Sequence, residues 1–174
     1  MWRFALFGLA MAAMVAGCAT PSGPGAMTAR DVQAATPVSE SVSVFVTGGK
    51  ETNPMFISQI SNADFREALK QSLLNSGLAK EVPDKDGRYR LDAFIGALDQ
   101  PFIGGDFTVK MEVSYTLTDV TAKKLVWQKS ISSAHTATFS DSVLGVERLR
   151  FANEGAARRN IEAAVAEMAK LAPR

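Results

Sequence analysis

The sequence predicts an α+β domain, a two-layer sandwich in which a four-stranded, mainly antiparallel sheet carries two helices on one face, in the order β-α-β-β-β-α. Three observations lead there. Residues 107–119 alternate without a break: Phe107, Val109, Met111, Val113, Tyr115 and Leu117 face one way, and Thr108, Lys110, Glu112, Ser114, Thr116 and Thr118 the other. That is a strand with one buried and one wetted face. Two longer segments, ISNADFREALKQSLLNSGL and the C-terminal stretch from about Glu147 to Leu171, repeat with a helical period instead. The last three strands follow one another through short turns, so they pair antiparallel. With one polar sheet face, both helices are left to the other.

The elements divide into three segments, 1–17, 18–40 and 41–174. Residues 1–17, MWRFALFGLAMAAMVAG, carry a single charge, Arg3, and then an uncharged apolar run from Phe4 to Ala16. The run has the length of a secretory core and is too short to span a bilayer, which takes about 20 residues. A buried N-terminal helix is the competing reading, but no polar face interrupts the run. The segment that follows, from Cys18 to Glu40, is rich in Pro, Gly, Ala, Ser and Thr and has no sustained apolar period. It reads as a flexible tether, with a random-coil reach of roughly 25 Å.

The folded part starts at Ser41. SVSVFVT alternates with Val42, Val44 and Val46 on one side, a strand. In the first helix Ser61 is the N-cap. Ile60 and Phe65 have hydrophobic-staple spacing, Phe65, Ala68, Leu69 and Leu73 form the apolar stripe, and Gly77 closes the C-terminus with Leu78 behind it. VPDKDG is a turn. Residues 88–99 alternate with Tyr89, Leu91, Ala93, Ile95 and Ala97 inward, and QPFIGGD turns the chain into the strand at 107–119. DVTAKK makes a hairpin into a last strand running to about Phe139. In the final helix Ala157, Ile161, Ala164, Val165, Met168 and Ala172 share a face, with Gly155 and Ala156 off it.

Charge and composition exclude several function classes. There are 19 Lys and Arg against 18 Asp and Glu. Residues 1–17 hold Arg3 and no acid, so the remainder is formally neutral, unlike a nucleic-acid binder with a basic face. One cysteine and one histidine rule out an internal disulfide framework and speak against a Cys/His zinc site. GGK at 48–50 is not a phosphate loop, because position 44 is Val and position 51 is Glu. His135, the single histidine, lies in a polar strand, and no Gly-x-Ser-x-Gly elbow accompanies it. The aspartates at 84, 86 and 119 sit at turns, where Asp belongs for backbone reasons. The sequence therefore offers no catalytic residues, metal ligands or cofactor site.

Arg150, Glu154 and Arg158, spaced i, i+4, i+8 on the last helix, continue its apolar stripe upstream and can pair along it. Two readings stay open. The helix runs past the sheet with its first half solvated, or the triplet is a partly buried interaction network that fixes the helix against a neighbouring loop or a partner.

VAGC at 15–18, directly after the apolar run, resembles the lipobox of bacterial lipoproteins. The resemblance implies cleavage after Gly17, a diacylglyceryl group on the Cys18 thiol and a further acyl chain such as palmitate on its amino group. It also implies that Ala19, where an acid would favour inner-membrane retention, sends the protein to the outer membrane, facing the periplasm. The element order resembles the LPS-assembly lipoproteins and the auxiliary lipoproteins of lipid-transporting ABC systems. That resemblance implies a non-enzymatic scaffold or accessory factor in cell-envelope assembly, held by the acyl chains on Cys18 and engaging an envelope protein. A lipid- or glycolipid-binding module is the alternative, with NPMFI and QPFIGG as rims of its site. An enzyme acting on envelope lipids is a third and weaker reading.

Overall fold

The computed structural model describes residues 19–34, 39–53, 57–101 and 103–171. Eight elements follow in order: α1 (Pro24–Met27), β1 (Ser39–Thr47), α2 (Asn62–Asn75), β2 (Ala79–Glu81), β3 (Tyr89–Asp99), β4 (Phe107–Asp119), β5 (Lys124–Ala137) and α3 (Gly145–Met168). The strands form one mixed sheet in the order β2-β1-β3-β4-β5. β3, β4 and β5 run antiparallel through two hairpins, as their alternation predicts, while β1 lies parallel to both β2 and β3.

Two features correct the predicted four strands and two helices. The fifth strand, β2, is three residues long and pairs Ala79 with Ser39 and Glu81 with Ser41. It is too short for any period to register, and α2 carries the chain back to place it. The third helix, α1, is a single turn.

α2 forms as its punctuation demands. Ser61 Oγ accepts from the Asp64 backbone N–H at 3.0 Å, Ile60 and Phe65 are both buried, and Gly77 takes φ +73° just past the end. β3 departs from strict alternation. The pairing with β4 slips between Ile95 and Ala97, so Gly96 bulges and Ala97 is turned outward instead of joining the core. Gly48 belongs to a turn built on contact with β3: at φ +87°, a Cβ there would collide with the Ile95 carbonyl.

The core lies between sheet and helices. Leu91, Val109, Val113 and Tyr115 on the sheet meet Phe65, Leu69, Ile161 and Val165 on α2 and α3, all fully buried. Asn160 ties the layers together: its Oδ1 accepts from the Tyr115 hydroxyl at 2.8 Å, and its Nδ2 donates to the Ile131 carbonyl at 2.8 Å. Burial pushes the Tyr115 phenol up, so it stays neutral and a donor.

The largest departure from expectation is the segment before β1. Residues 19–34, whose composition suggests a flexible tether, form a strap packed along α2 and α3. Met27 is 0% exposed, and Ser22, Thr28 and Ala29 are also buried. Its backbone is fastened from one end of the domain to the other. Thr20 accepts from Ser58 Oγ, Gly23 donates to Glu154, Ala29 donates to Ser72 Oγ and Ala34 donates to the Ser76 carbonyl. Small residues let the chain lie close against the two helices, and the helices supply the hydrogen bonds that a free tether would take from water.

Candidate functional site

The strap and α3 share the charged triplet. Glu154 is 5% exposed. Its Oε1 accepts from the Gly23 N–H at 3.0 Å and lies 3.5 Å from Arg150 Nη1. Arg158 does not bond back to Glu154. It reaches the Ala26 carbonyl at 3.3 Å through Nη1 and lies 3.9 Å from Glu162 through Nε. Glu154 and Arg158 therefore bond to the strap, while Arg150 pairs with Glu154 along the helix and lies over the Phe151 ring. The first half of α3 is not solvated: Leu149, Ala152, Asn153, Gly155, Ala156 and Ala157 are all buried. The strap covers one side of the helix and the sheet the other, so Gly155 and Ala156 lie at close contacts and not off the packed surface.

A second polar cluster, absent from the sequence reading, locks the same end of the strap. Gln100, just past β3, donates through Nε2 to the Ser58 carbonyl at 2.9 Å and to Asn153 Oδ1 at 2.7 Å. Asn153 Nδ2 also donates to the Ser58 carbonyl at 3.0 Å, and Ser58 Oγ in turn donates to Thr20. Ser58 and Asn153 are fully buried. No spacing rule links residues 20, 58, 100 and 153, which is why the cluster is silent in the sequence.

His135 sits on the inward face of β5 opposite Val109, directly over Gly155. A Cβ on Gly155 would fall inside the imidazole ring. Burial, and then the nearby charges of Arg159 and Arg158, hold its pKa below the ordinary histidine value, with Asp141 opposing. Its Nδ1 is buried without a hydrogen-bond partner. The ring packs between β5 and Gly155 of α3. Among the described residues no cluster of three or more His, Cys, Asp or Glu could hold a metal, and no helix is long and apolar enough to cross a membrane.

The end of the domain where α3 begins has a different character. Ile103, Phe139, Val143 and Leu144 project from the loops after β3 and β5, and Ile103 and Val143 are 93% and 71% exposed. These loops are nonetheless built firmly. Phe139 N donates to Asp106 Oδ1 at 3.0 Å, Thr138 N to Asp141 Oδ2 at 2.6 Å, and Ser142 Oγ to Glu147 Oε2 at 2.7 Å. The buried guanidinium of Arg148 lies 5.2 Å from the Phe107 ring centroid and 4.8 Å from that of Phe139, and donates to the Ser142 carbonyl at 2.7 Å. A shallow cavity of about 220 Å³, lined by Ile57, Pro101, Phe107, Gly145, Val146 and Leu149, opens at the same end. Of the two loops expected as rims, residues 54–56 and 102 lie outside the described residues. Cys18, the lipidation candidate, lies outside them too.

The outer face of the sheet is lined by paired hydroxyls, Thr108 with Thr136 and Ser114 with Ser130. A groove of about 480 Å³ crosses it beside α2, between Phe45, Phe94, Arg66 and Arg90. Arg90 is already committed, to the Asp92 carboxylate and to the Phe45 ring at 4.2 Å.

No family model matches the chain, and no curated protein matches it. Solved structures do share its fold. A protein of Xanthomonas campestris described by the family model DUF330 is 14% identical with a TM-score of 0.62, over 86% of this chain and 95% of that one. PelC of Paraburkholderia phytofirmans, solved as a dodecamer, is 16% identical with a TM-score of 0.50, over 79% of this chain and 95% of that one. A candidate lipoprotein of Caulobacter crescentus is 14% identical over 76% of this chain and 88% of that one, at a TM-score of 0.47. At these identities the likeness to the Xanthomonas protein and to PelC is one of fold alone.

Proposed function

We propose that this protein is a non-enzymatic lipoprotein, anchored by acyl chains on Cys18 to the periplasmic face of a bacterial outer membrane, and a scaffold or accessory factor in envelope assembly. The lipobox VAGC supports the anchor. The observation that carries the scaffold reading is the strap. From Thr20 onward the chain is bonded to α2, α3 and the β3–α3 polar cluster, so an anchor at residue 18 is coupled to the whole domain with little slack. Two or three acyl chains make a stable anchor, at about 0.8 kcal/mol per buried methylene. A domain held at a set height above a leaflet suits a part that meets a membrane protein there.

The test has two arms. Cells expressing the full chain and fed an alkyne analogue of palmitate should label the protein, and Cys18→Ser should abolish the label and move the protein out of the membrane fraction. A label that survives Cys18→Ser would overturn the anchor. Crosslinking in those cells should then recover a recurrent envelope partner. A protein recovered alone, whose deletion leaves the envelope intact, would overturn the scaffold reading.

The groove on the outer face of the sheet favours a second reading, a lipid- or glycolipid-binding module, because it sets the exposed Phe94 ring beside two arginines. Native mass spectrometry of the purified protein checks it: a carried lipid lost on Phe94→Ser supports binding, and a clean apo mass counts against it.

A further inference from the structure

We propose that the apolar loop end of the domain rests in the lipid leaflet beside the anchor, with Ile103, Phe139, Val143 and Leu144 among the acyl chains. This rests on the reading of Cys18 as the lipidated residue. The argument comes from where the strap starts.

Thr20 is held by Ser58, which shares a buried polar cluster with Gln100 and Asn153. Gln100 leads directly into the loop carrying Ile103. Residue 18 lies two residues from Thr20, at most about 7 Å of extended chain. Had residues 19–34 been a free tether, the anchor would set no orientation. Fastened as they are, they bring any chain attached at Cys18 into the bilayer next to the loops after β3 and β5.

The composition of that end agrees. Monomeric proteins rarely present several large apolar side chains together without a use for them, and here they project from a framework braced by Arg148, Asp106 and Asp141. Asp106, Asp141 and Glu147 near the tips each accept from a backbone amide or hydroxyl of these same loops, which fixes the loop shape that presents the apolar side chains. The opposite end, where β4 turns into β5, also exposes apolar residues, Val120 and Leu125, but it carries Lys123 and Lys124 and lies a full strand length away from Thr20. It supplies an internal control.

The chain has one cysteine, and acylation blocks its thiol, so a second cysteine is a unique label site. Val143→Cys, Ile103→Cys and Val120→Cys are each made in the full chain, purified acylated from bacterial membranes, labelled with a polarity-sensitive fluorophore and placed in phosphatidylcholine vesicles. The mass of the N-terminal peptide is read first. An unacylated terminus overturns both the anchor reading and this proposal. With acylation established, the labels at 143 and 103 should shift to the blue and be quenched several-fold more strongly by bromolipids than the label at 120. Equal weak quenching at all three sites overturns the proposal while leaving the anchor standing. A blue shift that depends on protein concentration and resists bromolipid means that a second copy covers this end, and overturns it as well.

Discussion

The strap at 19–34 and the loops after β3 and β5 are opposites in composition and in fate. The strap is built of Pro, Gly, Ala, Ser and Thr, the residues of a linker, and yet Met27 is 0% exposed. The loops display Ile, Val, Leu and Phe, the residues of a core, and yet Val143 is 71% exposed. Burial is decided by what a segment can lie against. Small residues offer little resistance to close approach, and two helices that present Ser72, Glu154 and Arg158 to its backbone gave the strap a bed. The tips at Ile103 and Val143 are left exposed by the described residues of the domain.

The comparison breaks most sharply at Met27. Its side chain is the largest fully buried apolar group that the described strap residues place in the core, with Val32 packed partly buried against it. Met27→Ala should cost about 3 kcal/mol, within the range for a buried methionine cut to alanine. If the strap is a true part of the fold, the loss appears in the denaturation midpoint of the whole domain, and amide exchange at residues 20–34 speeds up. A destabilisation below about 0.5 kcal/mol, the size of a surface change, would return the strap to the status of a tether.

Glu154 tests the polar half of the same attachment. Glu154→Ala strands the Gly23 amide and leaves Arg150 without its acid, for an expected loss of about 2 kcal/mol. Glu154→Gln keeps an acceptor for Gly23 and should recover about half of it. Arg158→Ala, by contrast, removes a partly exposed side chain with a long 3.3 Å bond to Ala26 and should cost well under 1 kcal/mol. Equal losses from Glu154→Ala and Arg158→Ala, read by chemical denaturation, would show that the network acts along the helix and not onto the strap.

These residues also mark how far the sequence could be read. The antiparallel run β3-β4-β5, the caps of α2 and the apolar stripe of α3 were legible, because each rests on a local period or a local cap. The i, i+4 pairing of Arg150 with Glu154 was legible as well, but the strap partners of Glu154 and Arg158 were not, since Gly23 and Ala26 lie more than 100 residues away. β2 was missed for its length, and the outward turn of Ala97 because one bulged residue, Gly96, leaves the composition of a strand unchanged. The Ser58–Gln100–Asn153 cluster had no signal at all: three polar residues in two loops and a helix, joined only by the fold.

Gly155 and His135 give a smaller effect, with a pH signature. Gly155→Ala pushes a methyl into the imidazole and should cost between about 1 and 2 kcal/mol. His135→Ala makes room, so the double variant should be more stable than the sum of the two losses predicts. His135 also couples stability to pH. Its pKa is lowered from the model-peptide value of 6.5 in the folded protein, chiefly by burial. The unfolded chain therefore takes up a proton first as pH falls. Its contribution is intact above the unfolded value and is lost as the pH drops through it toward the lower folded one. In His135→Asn the denaturation midpoint should lose that part of its pH dependence near neutrality, while the slope at more acidic pH, which belongs to carboxylates such as Asp141 and Glu167, stays.

The smallest effect is expected at the loop tips, and its smallness is informative. Ile103→Ser and Val143→Ser remove side chains that touch little of the domain, so the soluble Cys18→Ser protein carrying both should unfold within about 0.5 kcal/mol of its parent. A loss of 2 kcal/mol or more would mean that the tips brace the fold and that their exposure is incidental. With stability unchanged, the apolar tips add nothing to holding the domain together. The physical use left for them is contact with something outside it, whereas the strap, poor in large apolar groups, is needed for the fold itself.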